Sequence, residues 1–335
     1  MILNPFALIS LFVGAISVLL MASASLSALY FGRRYRRCDS VDGRATAEAR
    51  IHLSLLLLFT AFLIRLATWP LFYILLQSLI PLVPGAMCIY GVTQAMPLFI
   101  AFLQVLKPLA FFLTGGWLLF YALDLSLKNR PLMDRSVRLL AVVAAVAIAD
   151  GLAEILFLFF FAPPGAAVSC CTVVADIVIP STPLLPAPLF STHNTNALLA
   201  GYHAFNLGLA GLMAYLVWKK NTRRAWLRFV ALAALVNGLA SYGAFKEYLG
   251  PQLMHLPDHH CLYCLLQYQP VSIAILGLFI AGSFFAIWPV FLSCFAAVEA
   301  AKERLAELNL NLLKWAAACL LASWILTTAG ILFLK

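Results

Sequence analysis

The chain has 335 residues, of which 64% are hydrophobic and only 10% charged, with a formal net charge of +9. So few charged side chains cannot cover a water-soluble globule of this length, which excludes a soluble enzyme and predicts an all-α integral membrane protein. The cations lie in short segments between apolar runs, so the positive balance reads as a topology signal and a contact with anionic lipid head groups, with no nucleic-acid partner.

A helix crosses the hydrocarbon with roughly 20 apolar residues. Runs of that length fall at 5-31, 51-80, 98-123, 138-162, 197-218, 226-249, 270-298 and 315-334, predicting eight transmembrane spans. Each must be helical, because lipid offers no partner for free backbone N–H and C=O groups. The first run contains small residues at Ala22-Ser23-Ala24, but its cations, Arg33 to Arg37, follow the apolar stretch; this predicts a retained helix rather than a cleaved signal peptide. The gaps after spans one, three, five and seven carry the basic residues, among them Arg44 and Arg50, Lys128 and Arg130, Lys219 to Arg224, and Lys302 with Arg304. Positive segments stay cytoplasmic, which predicts both termini outside and a plasma-membrane location, the bacterial inner membrane in particular. The Pro-rich gap 163-196 reads as an outer cap, and 299-312 as a short cytoplasmic helical extension. Pro70, Pro108 and Pro289 predict kinks, and the pairs Gly115/Gly116 and Gly208/Gly211 predict close helix approach.

An internal similarity organises these spans. Cys88-Ile-Tyr-Gly-Val-Thr-Gln-Ala-Met-Pro97 recurs as Cys261-Leu-Tyr-Cys-Leu-Leu-Gln-Tyr-Gln-Pro270, with Cys, Tyr, Gln and Pro at the same offsets. Both copies precede the third span of a four-span half. The pattern predicts two parallel four-helix repeats, 1-162 and 197-335, joined by the loop 163-196 and related by an axis along the membrane normal. Convergence of the loop motif alone is the competing explanation.

Ionisable residues inside the apolar runs form one candidate constellation. Arg65 lies in span two, Lys107 in span three, and Asp150 and Glu154 one helical turn apart in span four. Charges at that depth are costly, so they should face the protein interior and pair. Their functional reading is a proton path, an anion or substrate site, or control of a bound quinone; the structural reading is an ion network that orients three helices. Only His203 among the histidines lies well inside a span, which disfavours paired-histidine haem ligation.

The cysteines form the other. Cys88, Cys170, Cys171, Cys261 and Cys264 all fall in gaps predicted outward, where disulfides persist. Simple loop stapling is the commonest fate of such residues, yet five cannot all pair within one chain. Cys261-Leu-Tyr-Cys264 opens a predicted helix, where free N–H groups and the dipole favour thiolate, the species that attacks disulfides and binds soft metals. Locally, this segment resembles the quinone-linked disulfide-forming membrane oxidoreductases of bacteria and the vitamin K epoxide reductase group. The resemblance implies that Cys261 and Cys264 are a quinone-facing pair and that an outer-loop pair, nearest to Cys170 and Cys171, shuttles electrons from client thiols. It covers roughly 261-290; where the bacterial group has an arginine soon after its second cysteine, this chain has Leu265, Leu266 and Gln267. Adjacent cysteines make a strained ring, so Cys170 and Cys171 are expected to pair with different partners, Cys88 among them.

The sequence therefore predicts thiol–disulfide exchange by the cysteine cluster, with an outward-side thiol protein as client and a quinone as a candidate acceptor. Three alternatives stand beside it. His259, His260, Cys261 and Cys264 could hold zinc or copper; the charged network could serve a transporter or permease; or the chain could be a non-catalytic subunit assembling with others in a larger membrane complex.

Overall fold

The computed structural model describes residues 4–37, 41–128, 130–162, 165, 168, 195–256 and 259–333. Among them the fold is entirely helical, and eight helices are long and apolar enough to cross a membrane. The protein is thus a polytopic α-helical membrane protein. It divides into two compact units, Met1–Val168 and Ser169–Lys335.

The first unit contains α1 (Pro5–Arg37), α2 (Val41–Ser78), the short α3 (Ile89–Thr93), α4 (Pro97–Leu125) and α5 (Met133–Phe160). Helix α1 packs along α2 and α5, and α4 packs on α5. These helices are apolar on nearly every side, so burial is decided by packing rather than by escape from water. The buried residues still recur at helical spacing: Met21, Ala24 and Ala28 on α1, Ile51, Leu55, Leu58 and Phe62 on α2, and Leu140, Val143 and Ala147 on α5. Phe12, Leu19 and Leu26, on the other face of α1, are exposed, as lipid-facing residues would be.

The second unit contains α6 (Thr195–Trp218), α7 (Arg224–Ala244), a π turn (Phe245–Leu249), the short α8 (Gly250–Met254) and α9 (Leu262–Tyr268), then α10 (Val271–Phe295) and α11 (Lys302–Phe333). Here α6 packs on α7 and α11, and α10 packs on α11 and α7. Leu209, Met213 and Leu216 of α6 meet Leu227, Val230 and Ala234 of α7 and Leu313, Ala316 and Leu320 of α11.

Several expectations are refined. The predicted extension at 299-312 and the eighth span form one continuous helix, α11, after a single 3₁₀ turn at Glu299–Ala301. No Gly or Pro interrupts Lys302 to Leu321, so good helix formers carry the element beyond the apolar window. Pro70, Pro108 and Pro289 sit inside helices that continue past them. Among the described residues Gly208 and Gly211 do not mediate close approach: a Cβ at either position would meet none of their atoms within 4 Å. The close helix-helix contacts fall at Gly151, where a Cβ would overlap Val18 Cγ2, and at Gly32 and Gly282, where it would lie 2.9 Å from Val137 Cγ1 and from Leu320 Cγ. Spacing of small residues alone cannot say which helix face has a neighbour. Gly250 serves a different purpose, since its N–H closes the π turn on the Phe245 carbonyl and a Cβ there would lie 2.6 Å from that oxygen.

Candidate functional site

Helices α2, α4 and α5 bring four ionisable side chains into one buried cluster. Arg65 is 3% exposed, Lys107 1%, and Asp150 and Glu154 are fully enclosed. The one-turn spacing of Asp150 and Glu154 puts both carboxylates on the same face of α5. Asp150 Oδ2 accepts a hydrogen bond from Arg65 Nε at 2.8 Å and a second from Arg65 Nη2. Glu154 Oε2 accepts from Arg65 Nη2 at 2.8 Å and from Lys107 Nζ at 2.7 Å. Lys107 Nζ also lies 3.4 Å from Asp150 Oδ1 and 4.7 Å from the centre of the Phe72 ring.

Two cations thus face two carboxylates, and the cluster is neutral. Each cation reaches both acids, Arg65 through Nη2 with Nε adding a second bond to Asp150, a planar paired approach that a guanidinium offers and an ammonium does not. Gly151, between the two acids, leaves room for the guanidinium: a Cβ there would already be 3.7 Å from Arg65 Cζ. Arg65 Nη1 and Glu154 Oε1 remain buried without a hydrogen-bond partner among the described residues.

A second polar cluster, which sequence reasoning missed, ties α2 and the end of α4 to the α4–α5 turn. Asp124 Oδ1 accepts from the Leu132 N–H at 2.8 Å, and Arg130 Nε lies 3.4 Å from Asp124 Oδ2. Arg130 Nη1 also contacts His52 Nε2, and Tyr121 Oη lies 3.3 Å from His52 Nδ1. Arg130 adopts a left-handed backbone conformation with φ 45°, uncommon outside glycine, asparagine and aspartate. The available signal was the acid at the end of the third apolar run, six positions before a cation otherwise counted only for topology.

In the second unit the buried polar contacts are neutral. Asn206 Nδ2 donates to the Tyr202 carbonyl at 2.8 Å and lies 3.3 Å from Ser241 Oγ, while Asn237 Nδ2 donates to Asn206 Oδ1 at 3.1 Å. This network joins α6 to α7 where an unpaired amide in hydrocarbon would be costly. His203 accepts from Trp324 Nε1 at 2.8 Å, linking α6 to α11.

The cysteines occupy the short helices. Cys88 is buried at the N-cap of α3, and Cys261 holds the equivalent position of α9. The Cys-x-x-Cys segment therefore opens a separate helix of 7 residues rather than the long span itself. One turn later Cys264 is buried, and the two sulfurs of this segment lie within 4.8 Å of each other. Of the adjacent histidines, His260 places Nδ1 3.0 Å from the Lys246 carbonyl oxygen and 4.0 Å from Glu247 Oε2. Lys246 in turn lies 3.5 Å from Glu247 Oε1. Cys170 and Cys171 lie outside the described residues.

No protein-family model, curated protein or solved structure matches the chain.

Proposed function

We propose that this membrane protein performs thiol–disulfide exchange through Cys261 and Cys264 on the outer face of the bilayer. The observation that carries the reading is the approach of the two sulfurs within 4.8 Å at the start of α9, a separation from which modest rotation closes a disulfide. Cys261, 9% exposed against 3% for Cys264, is the more exposed residue of the two and is assigned the attack. Its thiolate displaces one sulfur of a client protein disulfide to give a mixed disulfide. Cys264 then attacks the Cys261 sulfur and releases the client as a dithiol. Two electrons and two protons pass from the protein pair to the client pair; the reverse sequence oxidises a client dithiol.

An outer-loop relay through Cys170 or Cys171, with Cys88 as their pairing partner, is the variant of the proposal in which Cys261 attacks the relay disulfide in place of the client's own. A quinone is the acceptor that the local resemblance implies. Leu265, Leu266 and Gln267 supply no cation after Cys264, so the residues do not match that group's pattern and no step is assigned to a quinone. The paired, neutral cluster around Arg65 supports an orienting role for those four residues over a solute path. Two four-helix repeats are part of the same proposal. The common packing of first on second, first on fourth and third on fourth long helix in each unit supports them, as do the matching cysteine caps.

Differential alkylation of intact membranes across a series of redox buffers tests the exchange. Cys261 and Cys264 should pass together between alkylated and protected states, and Cys264→Ser should trap mixed disulfides on Cys261. Thiols whose state ignores the buffer, with no trapped adduct, would defeat the proposal. Stoichiometric zinc or copper lost on Cys264→Ser would favour the metal reading.

A further inference from the structure

The cations at one end of the second unit are not used by thiol chemistry. There α6 ends at Trp218, α7 begins at Arg224, α10 ends at Phe295 and α11 begins at Lys302. Between these ends lies a cleft of about 1270 Å³. Its charged lining is Lys219, Lys220, Arg223, Arg224 and Lys302 against Glu299 and Glu303, an excess of three positive charges. Lys302 is engaged by Glu299 at 3.2 Å, and Lys219 lies 4.5 Å from the centre of the Trp218 ring. Lys220, Arg223 and Arg224 have no carboxylate at ion-pair distance among the described residues.

The turn that presents them is built by specific contacts. Asn221 N–H bonds the Leu216 carbonyl at 2.9 Å, and Asn221 Oδ1 accepts from the Arg223 N–H at 3.1 Å. Lys220 takes the left-handed position that ends α6, φ 48°, where glycine is the usual residue. A second observation belongs to the lining of the same cleft. Asn309, 2% exposed, lines it; its Nδ2 lies 3.3 Å from Ser293 Oγ, and its Oδ1 is buried without a hydrogen-bond partner. Because the amide oxygen and nitrogen can be interchanged by a flip, Ser293 can donate to the oxygen while the nitrogen donates to a ligand.

We propose that this cleft binds a phosphate group, and specifically the head group of an anionic phospholipid. Cations without a carboxylate partner and a buried amide in one lining match phosphate oxygens, which accept several hydrogen bonds at once. The lipid source follows from depth: exposed Trp218 and Trp226 flank the turn, and tryptophan marks the head-group level. Basic pockets between transmembrane helices are a recurrent means of holding such head groups.

The test uses the full chain in phosphatidylcholine nanodiscs doped with phosphatidylglycerol, with native mass spectrometry counting retained anionic lipid. Wild type should retain it saturably. The pair Arg223→Gln and Arg224→Gln, at exposed positions, should weaken retention about thirtyfold, the effect expected for two interfacial cations. Asn309→Ala should weaken it without changing charge, and should that variant fail to fold, the arginine pair still decides. In a parallel arm, inorganic phosphate is titrated into detergent-solubilised protein while its melting temperature is followed. Stabilisation by phosphate that the arginine pair abolishes, without lipid retention, would keep the phosphate site and overturn its lipid source. Equal behaviour of wild type and variants in both arms would overturn the site altogether.

Discussion

Glu154 is the residue on which the buried cluster of the first unit turns, because one of its oxygens serves both Arg65 and Lys107. Glu154→Gln leaves two cations facing one carboxylate in a medium that solvates charge poorly. Removing one partner of a buried ion pair costs about 3–5 kcal/mol, so the variant should lose stability of that order in a denaturation series. Adding Lys107→Met restores neutrality and should recover a substantial part of the loss, whereas a double variant as unstable as the single one would refute pairing as the reason for the cluster. The four ionisable residues were legible in the sequence because each interrupts an apolar run. The fork of Arg65 across both acids was not, since it depends on the rotation of α2 against α5. The Asn206, Asn237 and Ser241 network was less legible still. Such neutral residues can bond within their own helix, and only the contact of α6 with α7 pairs them with each other.

At the scale of elements, small residues matter where a neighbouring helix presses on them. Gly151 holds α5 against Val18 of α1, and a Cβ would overlap a stiff β-branched side chain. Gly151→Ala should cost about 1–3 kcal/mol, the usual range for an overpacked contact, and Val18→Ala in the same chain should relieve part of it; an undiminished cost would show that the contact with α1 is not the cause. Gly208 and Gly211, equally suggestive in sequence, meet no neighbour among the described residues, so composition names candidates and geometry selects among them. Element length shows the same division. The apolar windows located the spans, but α2 and α11 run beyond them, because helix formation does not stop where hydrophobicity does. The cysteine motifs were visible as sequence, while their position on α3 and α9, ahead of the long helices, became apparent only in the fold.

At the scale of the whole molecule, the distribution of cations predicts one sidedness. Met87→Cys and Leu256→Cys, both at exposed positions beside the cysteine motifs, should react with an impermeant maleimide on intact cells. Glu303→Cys, also exposed, should react only after permeabilisation. Opposite labelling of residues 87 and 256 would remove the shared face that the proposed exchange requires. The sequence by itself determined that the chain is a multi-pass helical membrane protein, because the hydrocarbon admits only runs of apolar residues with internally satisfied backbones. It also determined which side chains are too costly to leave unpartnered. Tertiary structure decided who the partners are: that Arg65 joins two acids, that Asn206 meets Asn237, and that the cations of the α6–α7 turn share a cleft with Asn309. Those choices depend on how each helix is rotated and how deeply it is set against its neighbours, and helices apolar around nearly their whole circumference carry little record of either.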